Sequence, residues 1–326
     1  MLLPPIDRRF CVAPMLDCTD RHNRYFLRLI SKHAVLYSEM VTTGALIHGD
    51  RERFLAYSQQ EHPIALQLGG SNPEDLLKCT KLAEERRFDE VNLNIGCPSD
   101  RVQAGMIGAC LMGHPDLVAS CVETLVNSSG LHITVKCRIG IDDFDSYDFL
   151  LDFVGKVIAS GCKCLIIHAR KAILSGLSPK ENREIPPLNY DYVYRLKRDF
   201  PDTEFIINGG ITTLEQCVEH LKYVDGVMLG REAYQNPYIL AEVDSLIYGD
   251  IHPTQNRLEI LEQYYPYVEK ELSKGVRLKH MSRHLFGLFH GLPGAKSWRR
   301  YLSENAYRPE AGVEVLEKAA SLIQFP

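Results

Sequence analysis

Eight short apolar runs recur along the chain, and a segment of helical or mixed character follows each of them. The runs cover residues 10–15, 36–40, 63–68, 90–95, 133–139, 164–169, 204–208 and 226–230. Apolar residues with helical spacing follow over 21–30, 73–87, 115–127, 145–159, 190–200 and 213–221. Strand–helix alternation predicts a parallel sheet, and eight units predict an α/β fold of the (β/α)8 TIM-barrel type. A doubly wound sheet is the alternative, but it rarely needs eight similar units, and no G-x-G-x-x-G motif follows the first run.

The chain changes character after residue 250, where no strand pattern recurs. A helix capped by Thr254 and kinked at Pro266 is predicted first, because Thr is a favoured N-cap and Pro disrupts a helix interior. Further helices are predicted over 277–290, 295–303 and 310–323. We therefore predict two domains, a catalytic barrel over 1–249 and a small all-helical C-terminal domain over 250–326.

The composition is that of an ordinary soluble protein, with 45% hydrophobic and 24% charged residues among 326. No run approaches the roughly 18 apolar residues that a membrane span needs, and residues 1–5 are too short for a signal peptide. The ten cysteines lack the paired spacing of a disulfide framework, and no Cys/His cluster has zinc-ligand spacing. We therefore expect a cytoplasmic protein with reduced thiols, without a bound metal or a membrane partner.

The charge is distributed unevenly along the chain. The net charge is −5, yet residues 251–326 hold 11 Lys/Arg and 8 Asp/Glu, which leaves a balance of −8 on the remainder. Seven basic residues, three His and no carboxylate lie between Leu272 and Ser303. A positive segment on an acidic protein indicates a nucleic-acid contact in the C-terminal part, although a solvated helix face is the alternative.

One cysteine is placed where a strand should end. Residues 90–95 alternate polar and apolar side chains, Gly96 ends the run, and Pro98 keeps Cys97 out of helical geometry. A thiol at a stiff turn is presented to solvent or ligand, and thiols give or take protons at modest cost. Cys97 is therefore a candidate acid, base or nucleophile, while a half-buried structural cysteine is the alternative.

The ends of the predicted strands, including the one before Cys97, carry further candidate site residues. They are Pro14 with Met15, Glu39, Gln67, Asn94, Lys136 with Arg138, His168 with Arg170, Asn208-Gly209-Gly210 and Gly230-Arg231. In barrel enzymes the site is built at the carboxyl ends of the strands, so these groups should meet at one mouth. Surface polarity alone would not choose Gln, Lys and His at successive ends while the strand interiors stay apolar.

The two glycine turns indicate a phosphate. Loops after the last two strands often form the phosphate pocket of such barrels, and glycine lets backbone N–H groups approach an anion. Arg231 adds a cation there. With Gln67 and Lys136 predicted at the other end of the same ligand, the pattern favours flavin mononucleotide (FMN), whose reduced pyrimidine ring Lys136 would stabilise.

Several motifs occur in order with matching spacing, and together they resemble the tRNA-dihydrouridine synthases. They are Ala13-Pro14-Met15 with Thr19-Asp20-Arg21, Ala65-Leu66-Gln67-Leu68, Asn94-Ile95-Gly96-Cys97-Pro98-Ser99, Ile167-His168-Ala169-Arg170, Asn208-Gly209-Gly210, Gly230-Arg231 and Trp298-Arg299-Arg300-Tyr301-Leu302. Residues 176–188 look like the bacterial A class, which acts on uridines 20 and 20a of the D-loop. No residue departs from the family pattern at a catalytic position.

This resemblance implies an FMN barrel with NADPH as reductant and tRNA as partner, acting on C5=C6 of uracil. Hydride from reduced FMN would reach C6, and Cys97 would donate a proton to C5. The residues implied for FMN are Pro14, Met15, Leu16, Gln67, Lys136, His168, Asn208, Gly209, Gly210, Gly230 and Arg231. Asn94 and Arg170 would face the uracil or a neighbouring nucleotide. The implied tRNA contacts are Lys180, Arg183, Lys296, Arg299 and Arg300.

Two other functions fit parts of the pattern. An FMN barrel acting on a free dihydropyrimidine metabolite would use the same flavin residues, but it would have no use for a basic helical appendage. A non-enzymatic RNA-binding barrel would not need Cys97, Lys136 and His168 together. A monomer is expected. The sequence leaves open the split between uridines 20 and 20a, any prior tRNA modification, the choice between NADPH and NADH, and which of Lys136, His168 and Arg170 touches flavin.

Overall fold

The computed structural model describes residues 5–103 and 105–325, and the barrel predicted from the sequence is confirmed. All strands are parallel, and they run β1 Phe10–Val12, β2 Val35–Tyr37, β3 Val41–Thr42, β4 Ile64–Gly69, β5 Glu90–Ile95, β6 His132–Arg138, β7 Cys164–His168, β8 Glu204–Asn208 and β9 Gly226–Leu229. The sheet follows the order β2-β1-β9-β8-β7-β6-β5-β4-β3, and a direct β2–β4 pairing closes it. Eight strands therefore form the closed ring, with β3 as a short addition beside β4.

The second predicted strand, over 36–40, is interrupted in the structure. β2 ends at Tyr37, and β3 resumes at Val41. The physical reason lies in Ser38, whose hydroxyl oxygen accepts the backbone N–H of Gln67 at 2.9 Å. A side chain thus takes a ladder position that a main-chain carbonyl would otherwise fill, and regular pairing stops there.

Helices cover the outside of the ring. They are α1 Arg21–Ile30, α2 Thr43–His48, α3 Arg51–Phe54, α4 Pro73–Glu85, α5 Asp100–Gln103, α6 Pro115–Ser128, α7 Tyr147–Ala159, α8 Tyr190–Asp199, α9 Leu214–His220, α10 Arg231–Gln235 and α11 Val243–Tyr248. The C-terminal part adds α12 Arg257–Ser273, α13 Lys279–Ser282, α14 Ala295–Asn305 and α15 Val313–Ala320. Short 3₁₀ turns lie at Gln59–Glu61, Gly108–Gly113, Glu181–Arg183, Pro237–Glu242 and Arg283–Leu285.

Two details of the predicted C-terminal helices are wrong. Asn256, not Thr254, caps α12, because its side-chain oxygen accepts the N–H groups of Leu258 and Glu259 while Glu259 accepts the N–H of Asn256. The single helix predicted over 277–290 is instead α13 followed by a 3₁₀ turn. The carbonyl of Leu285 accepts the N–H of Leu288 at 3.0 Å, the spacing of a 3₁₀ turn, and also the indole N–H of Trp298 at 3.1 Å.

The C-terminal helices pack against α1, the first helix of the barrel. The Tyr25 ring stacks on the Tyr267 ring with centroids 4.0 Å apart, and Arg21 pairs with the buried Glu271. Trp298 is fully buried against Phe289, which anchors α14. The division into domains at residue 249 stays a prediction. Among residues 5–103 and 105–325, no helix combines the length and the apolar character that crossing a membrane demands.

Candidate functional site

A cavity of about 680 Å³ opens at the carboxyl ends of the strands, where barrel enzymes carry their chemistry. The predicted site residues that line it are Pro14, Met15, Leu16, Gln67, Asn94, Cys97, Lys136, His168, Arg183, Asn208, Gly209, Gly210, Gly230 and Arg231. Residues from seven strand ends and from the loop at 179–183 therefore converge as the sequence suggested. Leu16 is 57% exposed, so it lies at the rim of the mouth.

Cys97 lies on a turn that is held from two sides. The side-chain oxygen of Asn94 accepts the N–H groups of Gly96 at 3.1 Å and Cys97 at 3.0 Å. The carbonyl of Cys97 accepts the N–H of Ala109 at 2.9 Å, and a side chain at Gly108 would collide with that carbonyl. The half-buried thiol of Cys97 thus faces the cavity from a fixed backbone.

Lys136 is a cation in the cavity wall. Its ammonium group donates to Oδ1 of Asn208 at 3.0 Å, and the amide of Asn208 in turn donates to the carbonyl of Met228 at 2.7 Å. Burial, together with the neighbouring Arg138, lowers the pKa of Lys136 to about 8. A lysine with a pKa this close to neutrality, inside a cleft, is typical of a functional site.

His168 is buried in the wall of the same cavity. Its Nδ1 has no hydrogen-bond partner within the part of the chain that the structure describes. Burial, and then the charges of Arg138 and Lys136, hold the pKa of His168 well below its ordinary value. The ring is therefore neutral at pH 7, and an unpaired buried nitrogen at a cavity indicates a missing ligand partner.

The glycine turn after β8 leaves room that a side chain would fill. Gly209 and Gly210 adopt positive φ angles of 117° and 70°. A Cβ at Gly210 would lie 2.6 Å from Leu188, whereas a Cβ at Gly230 would make only ordinary contacts with Met15 and Ala13. Gly210 therefore needs glycine for both conformation and space, and the turn exposes backbone to a ligand.

Arg231 and Arg170, both expected at the mouth of the cavity, make contacts that the sequence did not predict. Arg231 forms an ion pair with Glu184 at 2.8 Å, so its charge is shared with a carboxylate that the sequence did not single out. Arg170 does not line the cavity; its guanidinium donates to the carbonyl of Pro186 and fastens the segment that follows. Arg183 stands at the rim and makes no hydrogen bond or ion pair through its side chain to any residue that the structure describes.

Arg138 was recognised at a strand end but given no role, and it occupies a central position. It is 4% exposed and lines the cavity. Its guanidinium donates to the carbonyls of Gly96 at 2.9 Å and of Lys171 and Asn182 at 3.0 Å each. It thereby joins the Cys97 turn to the loop that carries Arg183. Only the length and charge of the side chain at a strand end could have indicated this.

The other predicted tRNA contacts lie outside the cavity. Lys180 is exposed on the loop after β7, close in sequence to Arg183. Lys296, Arg299 and Arg300 are exposed on α14, where spacings of three and four residues put them on one face. They form a basic surface separate from the cavity lining.

One group of potential metal ligands exists among the described residues, at the opposite end of the barrel. Ligand atoms of His33, Asp244 and Asp250 lie within 4.8 Å of one another. Asp244 already accepts hydrogen bonds from Ser31 and the N–H of Lys32, and His33 pairs with Asp250. The cluster is thus accounted for by hydrogen bonds that join the loop after α1 to α11. All ten cysteines are free.

Comparison with known proteins gives a consistent result over nearly the whole chain. Residues 11–324 match the family model described as dihydrouridine synthase. The tRNA-dihydrouridine(20/20a) synthase of Shewanella oneidensis is 60% identical over 319 residues, covering 98% of this chain and 95% of that protein. The proteins of the same name from Vibrio cholerae and Escherichia coli K12 are 59% and 60% identical, over 97% of this chain and 97% and 91% of their own lengths.

Proposed function

The chain belongs to the dihydrouridine synthase family, and we propose that it reduces the C5=C6 bond of uridines 20 and 20a in the D-loop of tRNA to 5,6-dihydrouridine. The observation that carries this proposal is the Cys97 thiol, held on a fixed turn in the wall of a cavity that Lys136 also lines. The substrate is inferred from the names of the relatives, which are similar to this chain over nearly its full length.

The cavity suits FMN, the cofactor on which the family depends. Its volume, the glycine turn at Gly209-Gly210, and the Nδ1 of His168, which no described residue pairs, all fit a ligand with a phosphate and a polar ring. The residues that would hold FMN are Pro14, Met15, Leu16, Gln67, Lys136, His168, Asn208, Gly209, Gly210, Gly230 and Arg231. When bound and reduced by NADPH, FMN supplies the hydride that C6 receives.

Cys97 completes the reduction by donating the thiol proton to C5. The hydride and this proton together saturate the double bond, and the sulfur is left as a thiolate that solvent reprotonates. Three cationic side chains, Lys136, Arg138 and Arg183, line the same cavity as this thiol.

Recognition of the uracil differs in detail from the expectation. Both ends of the Asn94 amide already bond within the protein, to Gln67 and to the Cys97 turn. Asn94 would therefore contact the base only through its remaining N–H. Arg170 points to Pro186, whereas Arg183, which has no side-chain partner among the described residues, stands at the mouth and is better placed to reach a phosphate next to the uridine.

The tRNA would be held mainly outside the cavity. A uridine inside a folded RNA must be extruded at a cost of a few kcal/mol, which backbone contacts elsewhere offset. Lys180, Arg183, Lys296, Arg299 and Arg300 are proposed to make those contacts, because they are exposed cations at the mouth and on one face of α14. A monomeric state and a cytoplasmic location stay predictions.

Mapping dihydrouridine in tRNA from cells with and without this protein tests the proposal. We expect loss of dihydrouridine at positions 20 and 20a, and recovery when the gene is returned. Purified protein should release FMN on denaturation. Modification that persists unchanged in the deleted strain would contradict the proposal. Rapid reduction of free uridine or uracil without tRNA would instead support an enzyme of free pyrimidines.

A further inference from the structure

A chain of hydrogen-bonded polar side chains crosses the interior of the barrel from its amino end to the candidate site. Its members are Glu90, Thr134, Asn92, Gln67 and Asn94, which project inward from β4, β5 and β6. Glu90 and Asn92 are fully buried, and Gln67 and Thr134 are each 1% exposed. The apolar residues between them face the helices instead. Buried polar groups are costly unless bonded, so this arrangement needs a reason.

The direction of every bond in the chain follows from the charge at its first member. Glu90 pairs with Arg8 at 2.8 Å, and its other oxygen accepts the hydroxyls of Tyr37 and Thr134. Thr134 has a single proton, which it gives to Glu90, so its oxygen can only accept from Asn92, and it does so at 2.8 Å.

The orientations of the three side-chain amides follow by the same argument. Because the nitrogen of Asn92 faces Thr134, its oxygen faces Gln67 and accepts Nε2 at 2.7 Å. The oxygen of Gln67 then accepts Nδ2 of Asn94 at 2.9 Å, and the oxygen of Asn94 accepts the N–H of Cys97. A backbone N–H can only donate, so the N–H of Cys97 requires the side-chain oxygen of Asn94 to face it, independently of Glu90. The two ends of this series of side chains thus require the same amide orientations. None of the amides can rotate by 180° without losing hydrogen bonds.

We propose that Glu90 and Thr134 are positioning residues for the reaction proposed above. They act through Asn92 and fix Gln67 so that its second Nε2–H, a donor, faces the cavity. A ligand there must present an acceptor, such as a ring carbonyl or an unprotonated ring nitrogen of the bound cofactor. Through Asn94 the same chain holds the Cys97 turn. Cofactor binding and proton donation are thereby set by a carboxylate outside the cavity.

Replacement of Thr134 by Val tests this, because the shape is kept while the donor and the acceptor are lost. We expect the FMN dissociation constant, measured by titrating apoprotein, to rise at least tenfold. The rate of dihydrouridine formation at saturating FMN and tRNA should fall at least tenfold, while KM for tRNA stays within twofold. Thr134→Ser keeps the hydroxyl and should restore both values.

Two matched variants separate orientation from mere burial. Thr80 is also fully buried, and its hydroxyl has no partner within the described chain, so Thr80→Val should leave both values within twofold. Tyr37→Phe removes another hydroxyl from Glu90 but leaves the hydrogen bond to Thr134. It should also leave the FMN dissociation constant and the rate within twofold of wild type. If Thr134→Val fails to fold, Thr134→Cys replaces it, since a thiol is a weak donor and acceptor.

Unchanged FMN affinity and rate in a folded Thr134→Val or Thr134→Cys protein would overturn the proposal. An equal loss in Thr80→Val would do so too, because the effect would then come from packing alone. An equal loss in Tyr37→Phe would also do so, because the link from Glu90 through Thr134 would then have no special role. A wild-type protein that binds FMN but leaves tRNA unmodified would refute the proposed function instead. The FMN titrations would still decide whether the chain of side chains orients Gln67.

Discussion

The carboxylate of Asp20 lies 2.6 Å from the guanidinium of Arg283, a residue 263 positions further along the chain. Its second oxygen lies 2.9 Å from Nε2 of His284 and also caps α1 through the N–H groups of His22 and Asn23. Burial raises the pKa of Asp20, but the hydrogen bond and charge of His284 outweigh this and hold the pKa well below its usual value. One carboxylate thus joins the lip of the cavity to the C-terminal helices.

Asp20→Asn should therefore destabilise the protein although it keeps a capping oxygen. Bonds to charged groups contribute roughly 1.5–3 kcal/mol, so we expect a loss of about 2 kcal/mol in the free energy of unfolding. Denaturant unfolding measures it. Asp50→Asn is the matched control, because Asp50 caps the exposed helix α3 through Arg53 N–H and should change stability by less than about 0.5 kcal/mol. Equal effects would show that the cation partners of Asp20 contribute nothing.

Cys97→Ala should keep FMN and its reduction by NADPH yet lose most dihydrouridine formation. Proton transfer by a positioned acid is typically worth 10²–10⁴-fold, and the hydride step does not use the thiol. Single-turnover assays on tRNA would measure the loss. Cys110→Ala is the control, since Cys110 is also half-buried but does not line the cavity. A Cys97→Ala enzyme that modifies tRNA at the wild-type rate would remove the thiol from the mechanism.

Replacing Lys296, Arg299 and Arg300 by Ala should weaken tRNA binding and flatten its salt dependence. Each lost phosphate contact lowers the slope of log affinity against log salt by about 0.7 to 0.9, so the triple variant should lose about 2 to 3. FMN content and NADPH oxidation should not change, because these residues lie outside the cavity. Binding measured over a salt series provides the slope.

The control for that variant removes the same charge elsewhere. Lys78 and Lys81 are exposed on α4 and Lys156 is partly exposed on α7, and each pairs with a carboxylate. Their triple replacement by Ala changes the net charge equally and should leave the slope within about 0.5 of the wild-type value. An equal drop in both variants would mean that tRNA responds to overall charge and not to the α14 surface.

FMN affinity should fall as pH rises above about 8. Burial and Arg138 lower the pKa of Lys136 to about 8 in the free protein. A bound anion would favour the charged lysine and raise that pKa, so binding above pH 8 takes up a proton. Affinity is then lost by up to tenfold per pH unit until the pKa of the complex is reached. Lys136→Met should bind FMN more weakly at pH 7 and lack this dependence. A wild-type affinity that is flat from pH 7 to 10 would exclude Lys136 from the cofactor contact.

The sequence predicted the ring of strands and the place of Cys97 because both depend on local signals, namely apolar runs, glycines and prolines. It did not predict contacts that depend on a partner far along the chain. The guanidinium of Arg170 donates to the carbonyl of Pro186. The helix predicted over 277–290 is interrupted where Gly287 packs against the carbonyl of Gln235. Local pattern cannot show where such partners will lie.

The polar alternation in β5 shows a second limit. The pattern correctly indicated a strand, but not which of its faces lies inside the ring. A barrel buries both faces of each strand, so neither face is marked as the outer one. Glu90 and Asn92 in fact point inward, where Arg8 and Thr134 satisfy them. That solution requires residues from β6 and from the segment before β1, which only the folded ring brings together.

The stacking of Tyr25 on Tyr267 has a consequence for biosynthesis. Synthesis proceeds from the amino end, so α1 leaves the ribosome long before its partner helix exists. Until then the aromatic face of α1 and the charges of Asp20 and Arg21 lack the partners that they have in the finished protein. Nascent chains halted before residue 257 should therefore be cut by protease within residues 13–30 more readily than chains halted after 305. Helix α1, which emerges early, is thus among the last elements to gain its partners, and it would depend on chaperones for longer than elements whose partners are near in sequence.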